Sequence, residues 1–541
     1  MSKRPSSFVH WLVQRLYKAG TRRLFGVPGG GTSLDLIDAA ASEGIELVLT
    51  AREDAAVIMA GVSGVLTQAP GLAFSTKGPG LTSAANGLAS ASLDRMPALL
   101  IAETFVPGEL DYVSHQAYDQ SALVQPLLPN GPMNVLDANK EAIESWLACS
   151  PKPARQPAVM FPTRDALRAL VDTNDGLEPI LTEKIIGQTA LARACQLANE
   201  SLKPIVIVGL EAARPELASE VQKLVEALNA PVLSSYMASG TVPVGHPNYA
   251  GIFTGGAIEQ SCVNEADLIV LVGLDPVELI RKPWTYKASV LDVCDAVHQP
   301  HYLEPEVRLC APLGASLPAL VEGIRSSTST STWTDERITM HRDRFYAGLQ
   351  IEAENGLSSG VVVKAAAAAF DGKPRLTVDA GAHMFSACAF WPAMAPRDIL
   401  ISNGLATMGF ALPAALAAAL HDPARGAVVM TGDGGLMMCL GELKTAAQVN
   451  ANICIIVFND GCLSLIDIKR KEREMSDLGL SWNRPDFALA AQGFGFQSWR
   501  PENIDELNSA CAEAATQSGP RLIDAQIDPS GYLNQMKSLR G

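Results

Sequence analysis

The stretch that most constrains this 541-residue chain is residues 427–460. An apolar run, Ala427-Val428-Val429-Met430, breaks at Thr431 into Gly432-Asp433-Gly434-Gly435, and a second run, 453–458, breaks at Asn459-Asp460. Both runs are short, rich in β-branched residues and ended by turn formers, so each reads as a buried strand. Between them Leu436, Leu440, Leu443 and Ala447 recur at helical spacing, which predicts one crossover helix over 436–450. The parallel strands of such a βαβ unit end on one edge of the sheet, where open α/β sheets bind ligands. That places Asp433 beside Asp460. Two hard carboxylates next to a glycine turn suit Mg²⁺ carrying a diphosphate, because this ion keeps octahedral oxygen coordination and shares it with phosphate.

A chain of this length exceeds a single core and predicts about three domains. Hydrophobic residues make up 48% and charged residues 18%, the balance of a compact protein. The net charge of −15 disfavours nucleic acid as a partner, and no sustained basic run is present to hold an anionic membrane. Ten cysteines are scattered without CxxC pairs and read as reduced core residues of a cytoplasmic protein. Near the N-terminus Phe8, Trp11, Leu12 and Leu16 share one helical face, and the helix runs straight into a strand and glycine turn, as part of a fold rather than a leader. No segment reaches the roughly twenty apolar residues that span a bilayer.

Strand-like and helical pieces alternate through most of the chain, which predicts α/β architecture: three doubly wound parallel-sheet domains. The expected division is 1–172, then 184–325, a linker at 326–350 and a final domain at 351–541. Polar residues 172–183 and the low-complexity run 326–332 read as linkers. The charged run 466–474 reads as a solvated helix face, and 531–541 as a short tail. In the middle domain Gly209 follows a strand without a GxGxxG turn, so a dinucleotide has little support there.

The Gly432-Asp433-Gly434 and Asn459-Asp460 pair resembles the thiamine diphosphate motif of the enzyme group that includes acetolactate synthase, pyruvate oxidase and benzoylformate decarboxylase. That pattern usually ends in Asn-Asn; here Asp460 puts a carboxylate in place of an amide. The resemblance implies a Mg²⁺ site at Asp433, Asp460 and Cys462, and cofactor contacts from Gly432, Gly434, Gly435 and Leu463. Further contacts are implied from Ala382 and His383, which follow the strand ending at Asp379. Gly404-Leu405-Ala406-Thr407-Met408-Gly409-Phe410 resembles the family segment whose methionine props the cofactor's two rings apart. Met408 matches, and Ala406 stands where glycine is common.

The catalytic acid implied is Glu53, in Ala51-Arg52-Glu53-Asp54, although the two family residues preceding it differ. In a water-poor cleft a carboxyl group is able to hold and return a proton at a ring nitrogen of the cofactor. Thr76-Lys77-Gly78-Pro79-Gly80 matches the family's Ser-Gly-Pro-Gly turn, with Gly80 and Pro28 as cofactor neighbours. Backbone N–H groups of Gly30 and Gly31 would face a developing oxyanion, and His115 or Gln116 would orient or protonate an intermediate.

The resemblance further implies a 2-oxo acid decarboxylase or carboligase of the acetolactate synthase type, acting through ylide and enamine intermediates. It implies a homodimer or dimer of dimers with sites at the subunit interface, which lets residue 53 serve a site anchored at residue 433. FAD, a passenger in some relatives, has no motif here. Substrate-facing positions depart from the biosynthetic enzyme: Gly273-Leu274-Asp275-Pro276 replaces a Phe-Asp-Asp-Arg segment, Lys469 replaces a tryptophan, and Pro162-Thr163 replaces Pro-Lys. Such changes alter substrate sooner than chemistry, since the cofactor performs the bond-making. The rival readings are an acyl-CoA lyase or oxalyl-CoA decarboxylase type, which needs a nucleotide pocket, and a cofactor-binding scaffold without turnover.

Overall fold

A computed structural model describes residues 6–106, 108–128, 135–148, 156–172, 186–279, 283–298, 303–325, 331–477 and 479–541. The buried apolar runs form three six-stranded parallel sheets. The first runs Glu46–Leu49, Arg23–Gly26, Gly71–Ser75, Ala98–Ala102, Ala158–Met160, Val135–Leu136 across its width. The third runs Ile399–Ile401, Arg375–Val378, Ala427–Gly432, Ile453–Asn459, Arg521–Gln526, Gln497–Trp499. Counted along each segment, both follow the order 2-1-3-4-6-5. The middle sheet runs Tyr249–Ile252, Val232–Ser234, Pro204–Val208, Leu268–Val272, Ser289–Cys294, Val307–Cys310, the order 3-2-1-4-5-6 of dinucleotide-binding folds. Fold class therefore follows the reading of the sequence. Among the described residues no helix is long and apolar enough to cross a membrane.

Local chemistry explains the elements that matter for the site. Helix Glu53–Thr67 is made of small and β-branched residues because it lies hard against the sheet: the Ala60 carbonyl leaves no space for a side chain at Gly71. The same helix shares a core with helix Ala411–His421 of the third domain. Helix Phe8–Lys18 buries Phe8, Trp11, Leu12 and Leu16 against the first sheet.

Three expectations need correction. The crossover predicted over 436–450 is two helices, Asp433–Met438 and Glu442–Gln448, because the backbone leaves helical geometry at Cys439 (φ −125°, ψ 22°). The span 326–350 contains helix Asp335–Leu349, whose Ile338, His341, Phe345 and Leu349 form a buried stripe masked in the sequence by surrounding charge. The tail is helix Tyr532–Arg540, with Tyr532, Gln535, Met536 and Leu539 buried. Residues 173–183 and 326–330 of the two linkers lie outside the described residues; Ser331 and Thr332 are tied to the Asn229 and Leu202 carbonyls.

The three domains meet around buried carboxylates. Asp94, at the end of helix Pro79–Leu93, accepts hydrogen bonds from Ser402 Oγ (2.6 Å) and the Gly404 N–H (2.7 Å), and burial pushes it up to about 6. Arg95 forks onto Asp275 at 2.8 and 3.2 Å. Glu278 accepts from the Leu210 N–H (2.8 Å), the Asp275 N–H (3.1 Å) and Ser235 Oγ. The two N–H groups are backbone donors at the switch point of the middle sheet, so the protein's own carboxylate occupies the edge where such folds bind ligands. Burial pushes Glu278 up to about 8. Its folded state holds a proton that the unfolded chain releases above its ordinary carboxylate range. The stability this provides is complete at low pH and is lost as pH rises through about 8. Thermal unfolding between pH 5 and 8 should accordingly show a declining stability that is flatter in Glu278→Gln.

Candidate functional site

Strands Ala427–Gly432 and Ile453–Asn459 are parallel neighbours, with Gly432 paired to Phe458. The residues that follow them, Asp433 and Asp460, thus leave the same sheet edge side by side. Asp433 accepts from its neighbour Gly434 N–H (2.8 Å), from Gly461 N–H (2.9 Å) and from Trp482 Nε1 (3.1 Å). Asp460 accepts from Cys462 N–H (3.0 Å) and Ser464 Oγ (2.6 Å). Burial raises both carboxyl groups, and the Asp433 charge further raises Asp460, to about 6. Two desolvated carboxylates that repel one another form a site electrostatically in want of a cation.

They line a cavity of about 200 Å³ together with Ala382, His383, Ala406, Met408, Gly432, Gly434, Gly435, Cys462 and Leu463. Every third-domain residue expected at the cofactor is therefore brought to one place. A side chain at Gly434 would press on the Met408 methyl (3.1 Å) and Leu463 (3.3 Å), both of which would have to shift into the cavity or away from it. His383 is buried and stacked on Phe458 at 5.0 Å between centroids; burial pushes it down to about 4, and its Nε2 has no partner. Among the described residues no three His, Cys, Asp or Glu side chains are gathered to hold a metal. A hard cation at Asp433 and Asp460 would draw its remaining ligands from backbone or bound oxygen rather than the Cys462 thiol.

The sequence reading missed the groups that hold this site in shape. Trp482 fixes Asp433, Ser464 fixes Asp460, and Tyr532 of the C-terminal helix closes one wall. Asp379, fully buried, accepts from Thr431 Oγ1 (2.6 Å), Gly409 N–H (3.1 Å) and Ala411 N–H (2.7 Å), tying the Met408 segment to the Asp433 strand. Its signal was its position at a strand end within an apolar stretch. Ala406 has φ of 54°, in the left-handed region.

None of the residues lining this cavity comes from the first domain. There a second group forms: Glu53 opens its helix at the sheet edge, with its Oε1 3.2 Å from where a Cβ on Gly80 would lie. Gly29, in the turn after Pro28, lies against Thr76, and Gly31 against Glu103. His115 and Gln116 are exposed, Gln116 folding over Gly78 with φ of 61°. The two groups touch through Glu442, whose carboxylate accepts the N–H groups of Ala51 and Arg52 (each 3.0 Å), just before Glu53.

Paired carboxylates and a methionine around a cavity at one sheet edge, with a glutamate at a second edge of like topology, are the arrangement of an α/β protein suited to a phosphorylated cofactor. Sequence comparison gives the particular family. Residues 7–123 match the N-terminal TPP binding domain of thiamine pyrophosphate enzymes, 191–320 their central domain, and 379–525 their C-terminal TPP binding domain. The chain belongs to the thiamine pyrophosphate (thiamine diphosphate) enzyme family. It is 25% identical to acetolactate synthase of Bacillus subtilis strain 168, over 97% of this chain and 93% of the relative. It is 28% identical to the acetolactate synthase isozyme 3 large subunit of Escherichia coli K12 (98% and 96%), and 25% to the catabolic acetolactate synthase of Raoultella terrigena (96% and 94%).

The donor set fits the group this family carries: paired hard oxygens, a glycine floor and an unpartnered buried imidazole surround one cavity. Two outcomes follow. Ala406→Gly should raise thermal stability by roughly 0.5–1 kcal/mol, by relieving the left-handed alanine. Because Trp482 donates to Asp433, adding thiamine diphosphate with Mg²⁺ should change tryptophan emission, and Trp482→Phe should remove that change.

Proposed function

We propose that this protein uses thiamine diphosphate, anchored through Mg²⁺ at Asp433 and Asp460, to decarboxylate a 2-oxo acid and release an aldehyde or pass the fragment to a second carbonyl. The observation that carries the reading is the meeting of Asp433, Asp460 and Met408 around one cavity at the sheet edge. Near-full-length similarity to acetolactate synthases supports the 2-oxo acid class.

When bound, the cofactor supplies a carbon nucleophile and an electron sink for the bond to the departing carboxylate. Glu53 holds and returns a proton at the cofactor's ring nitrogen. The glycine floor and Met408 fix the cofactor's bend, and the Ala406 carbonyl is presented by the left-handed backbone. N–H groups of Gly30 and Gly31 would receive negative charge on substrate oxygen, though Glu103 already takes the adjacent Thr32 N–H at 3.1 Å. His115 and Gln116 sit on an exposed loop able to reach a substrate from solvent.

The lack of first-domain residues around the cavity supports completion by a second copy, with Glu53 of one protomer serving the cavity of its partner. A homodimer, or a pair of dimers, is the expected assembly, and the cytoplasm its expected place. The acyl-CoA reading has less support: the cleft where the three domains meet holds only about 100 Å³, small for a nucleotide.

The decisive measurement is CO₂ release from a panel of 2-oxo acids by protein loaded with thiamine diphosphate and Mg²⁺, with the organic product identified. Glu53→Gln should lower turnover by roughly 10²–10⁴ while cofactor binding, measured calorimetrically, persists. No turnover by the wild type, or full turnover by the variant, would overturn the proposal.

A further inference from the structure

Cys294 and Cys310 are the last residues of strands Ser289–Cys294 and Val307–Cys310, parallel neighbours at one rim of the middle sheet, and the register sets them opposite one another. Neighbouring strands run about 4.8 Å apart, inside the window of roughly 4.4–6.8 Å between Cα atoms in which a disulfide closes. Residues opposite in register project from the same face of a sheet. The two thiols do meet: Cys294 is hydrogen-bonded to Cys310, which together with burial raises its thiol well above the ordinary range. The pair is far from any CxxC spacing, so register alone makes it visible.

Access makes the two unequal. Cys294 is 5% exposed, whereas Cys310, on the edge strand, is partly open to solvent. Cys310 Sγ donates to the carbonyl of Asp295 (3.8 Å), the residue that follows Cys294. Asp295 is itself a fixed point: its N–H donates to Glu211 Oε2 (2.8 Å), and its carboxylate takes the Leu313 N–H (2.8 Å) and pairs with Arg214 (2.6 Å). Cys454 and Cys511 also lie near one another, but both are wholly buried, out of reach of an oxidant in solution.

We propose that Cys294 and Cys310 are a modification site, a dithiol that a small disulfide such as glutathione disulfide converts reversibly to an intramolecular disulfide. Cys310 meets the reagent first: its sulfur attacks one sulfur of the glutathione disulfide, one glutathione leaves as thiol, and a mixed disulfide stands at Cys310. Cys294 then gives up its proton and attacks the Cys310 sulfur, releasing the second glutathione as thiol. The two cysteines lose two electrons and two protons, and the reagent gains both. The new bond also removes the proton by which Cys310 holds the Asp295 carbonyl, at a residue tied through Glu211 and Arg214 to the cleft where the three domains meet. The site is independent of the reaction proposed above.

The test is a thiol map of the full-length protein, equilibrated in glutathione buffers from reducing to oxidising, quenched with acid, alkylated and digested with trypsin without reduction. Cleavage after Arg308 separates peptides 288–308 and 309–325, so the bond appears as these two peptides linked and lighter by two hydrogens than their sum. The linked species should rise with glutathione disulfide and vanish with dithiothreitol. Cys195 and Cys462, also partly exposed, serve as controls and should take glutathione singly. Cys294→Ser should leave the glutathione adduct standing on Cys310, and Cys310→Ser should leave Cys294 unmodified. Absence of the linked peptide from the wild type in the most oxidising buffer would overturn the proposal, and so would an adduct on Cys294 in Cys310→Ser equal to that on Cys310 in Cys294→Ser. The wild-type map decides alone where either variant fails to fold.

Discussion

The site depends on a repulsion. Two parallel strands in register deliver Asp433 and Asp460 to one desolvated edge, where each carboxylate makes the other costlier to ionise. Folding alone leaves that cost only partly offset by N–H, indole and hydroxyl donors. A divalent cation removes it, so the anchor is an arrangement whose electrostatics ask for metal before any substrate arrives. The surrounding parts keep the two carboxylates at this separation: Asp379 binds strand to propping segment, and the C-terminal helix shuts the side wall.

The first and third domains share one strand path, and the proposed function draws a different half of its chemistry from the equivalent edge of each. The middle domain has the strand path of a dinucleotide binder, but Glu278 takes the N–H groups of its crevice, and the neighbouring Asp275 pairs with Arg95 of the first domain as a joint between domains. The same topology thus serves recognition in one place and cohesion in another, according to which side chains fill the edge.

Much of this was legible because it rested on local pattern. Short β-branched runs ended by glycine or aspartate mark strands that are buried on both faces, and that signal carried the fold class and the third-domain site together. The failures share a cause as well. Helix Asp335–Leu349 and helix Tyr532–Arg540 bury narrow stripes beneath charged and polar neighbours, so composition hid their periodicity. Trp482 and Ser464 act only through hydrogen bonds to residues distant in sequence or on a following turn, and no spacing rule exposes such partners. The second half of the crossover packs against Ala51, almost four hundred positions earlier, a contact that no local window contains.

That contact explains a departure in the sequence itself. Glu442 grips the main-chain N–H groups of Ala51 and Arg52, not their side chains. Any residue except proline presents the same handle. That hydrogen bonding therefore makes no demand on the side chains at 51 and 52, while the direction in which the chain delivers residue 53 stays the same. Where an interface is written in backbone, identity can wander without loss of aim, and the two altered residues before Glu53 are what such tolerance looks like after long divergence.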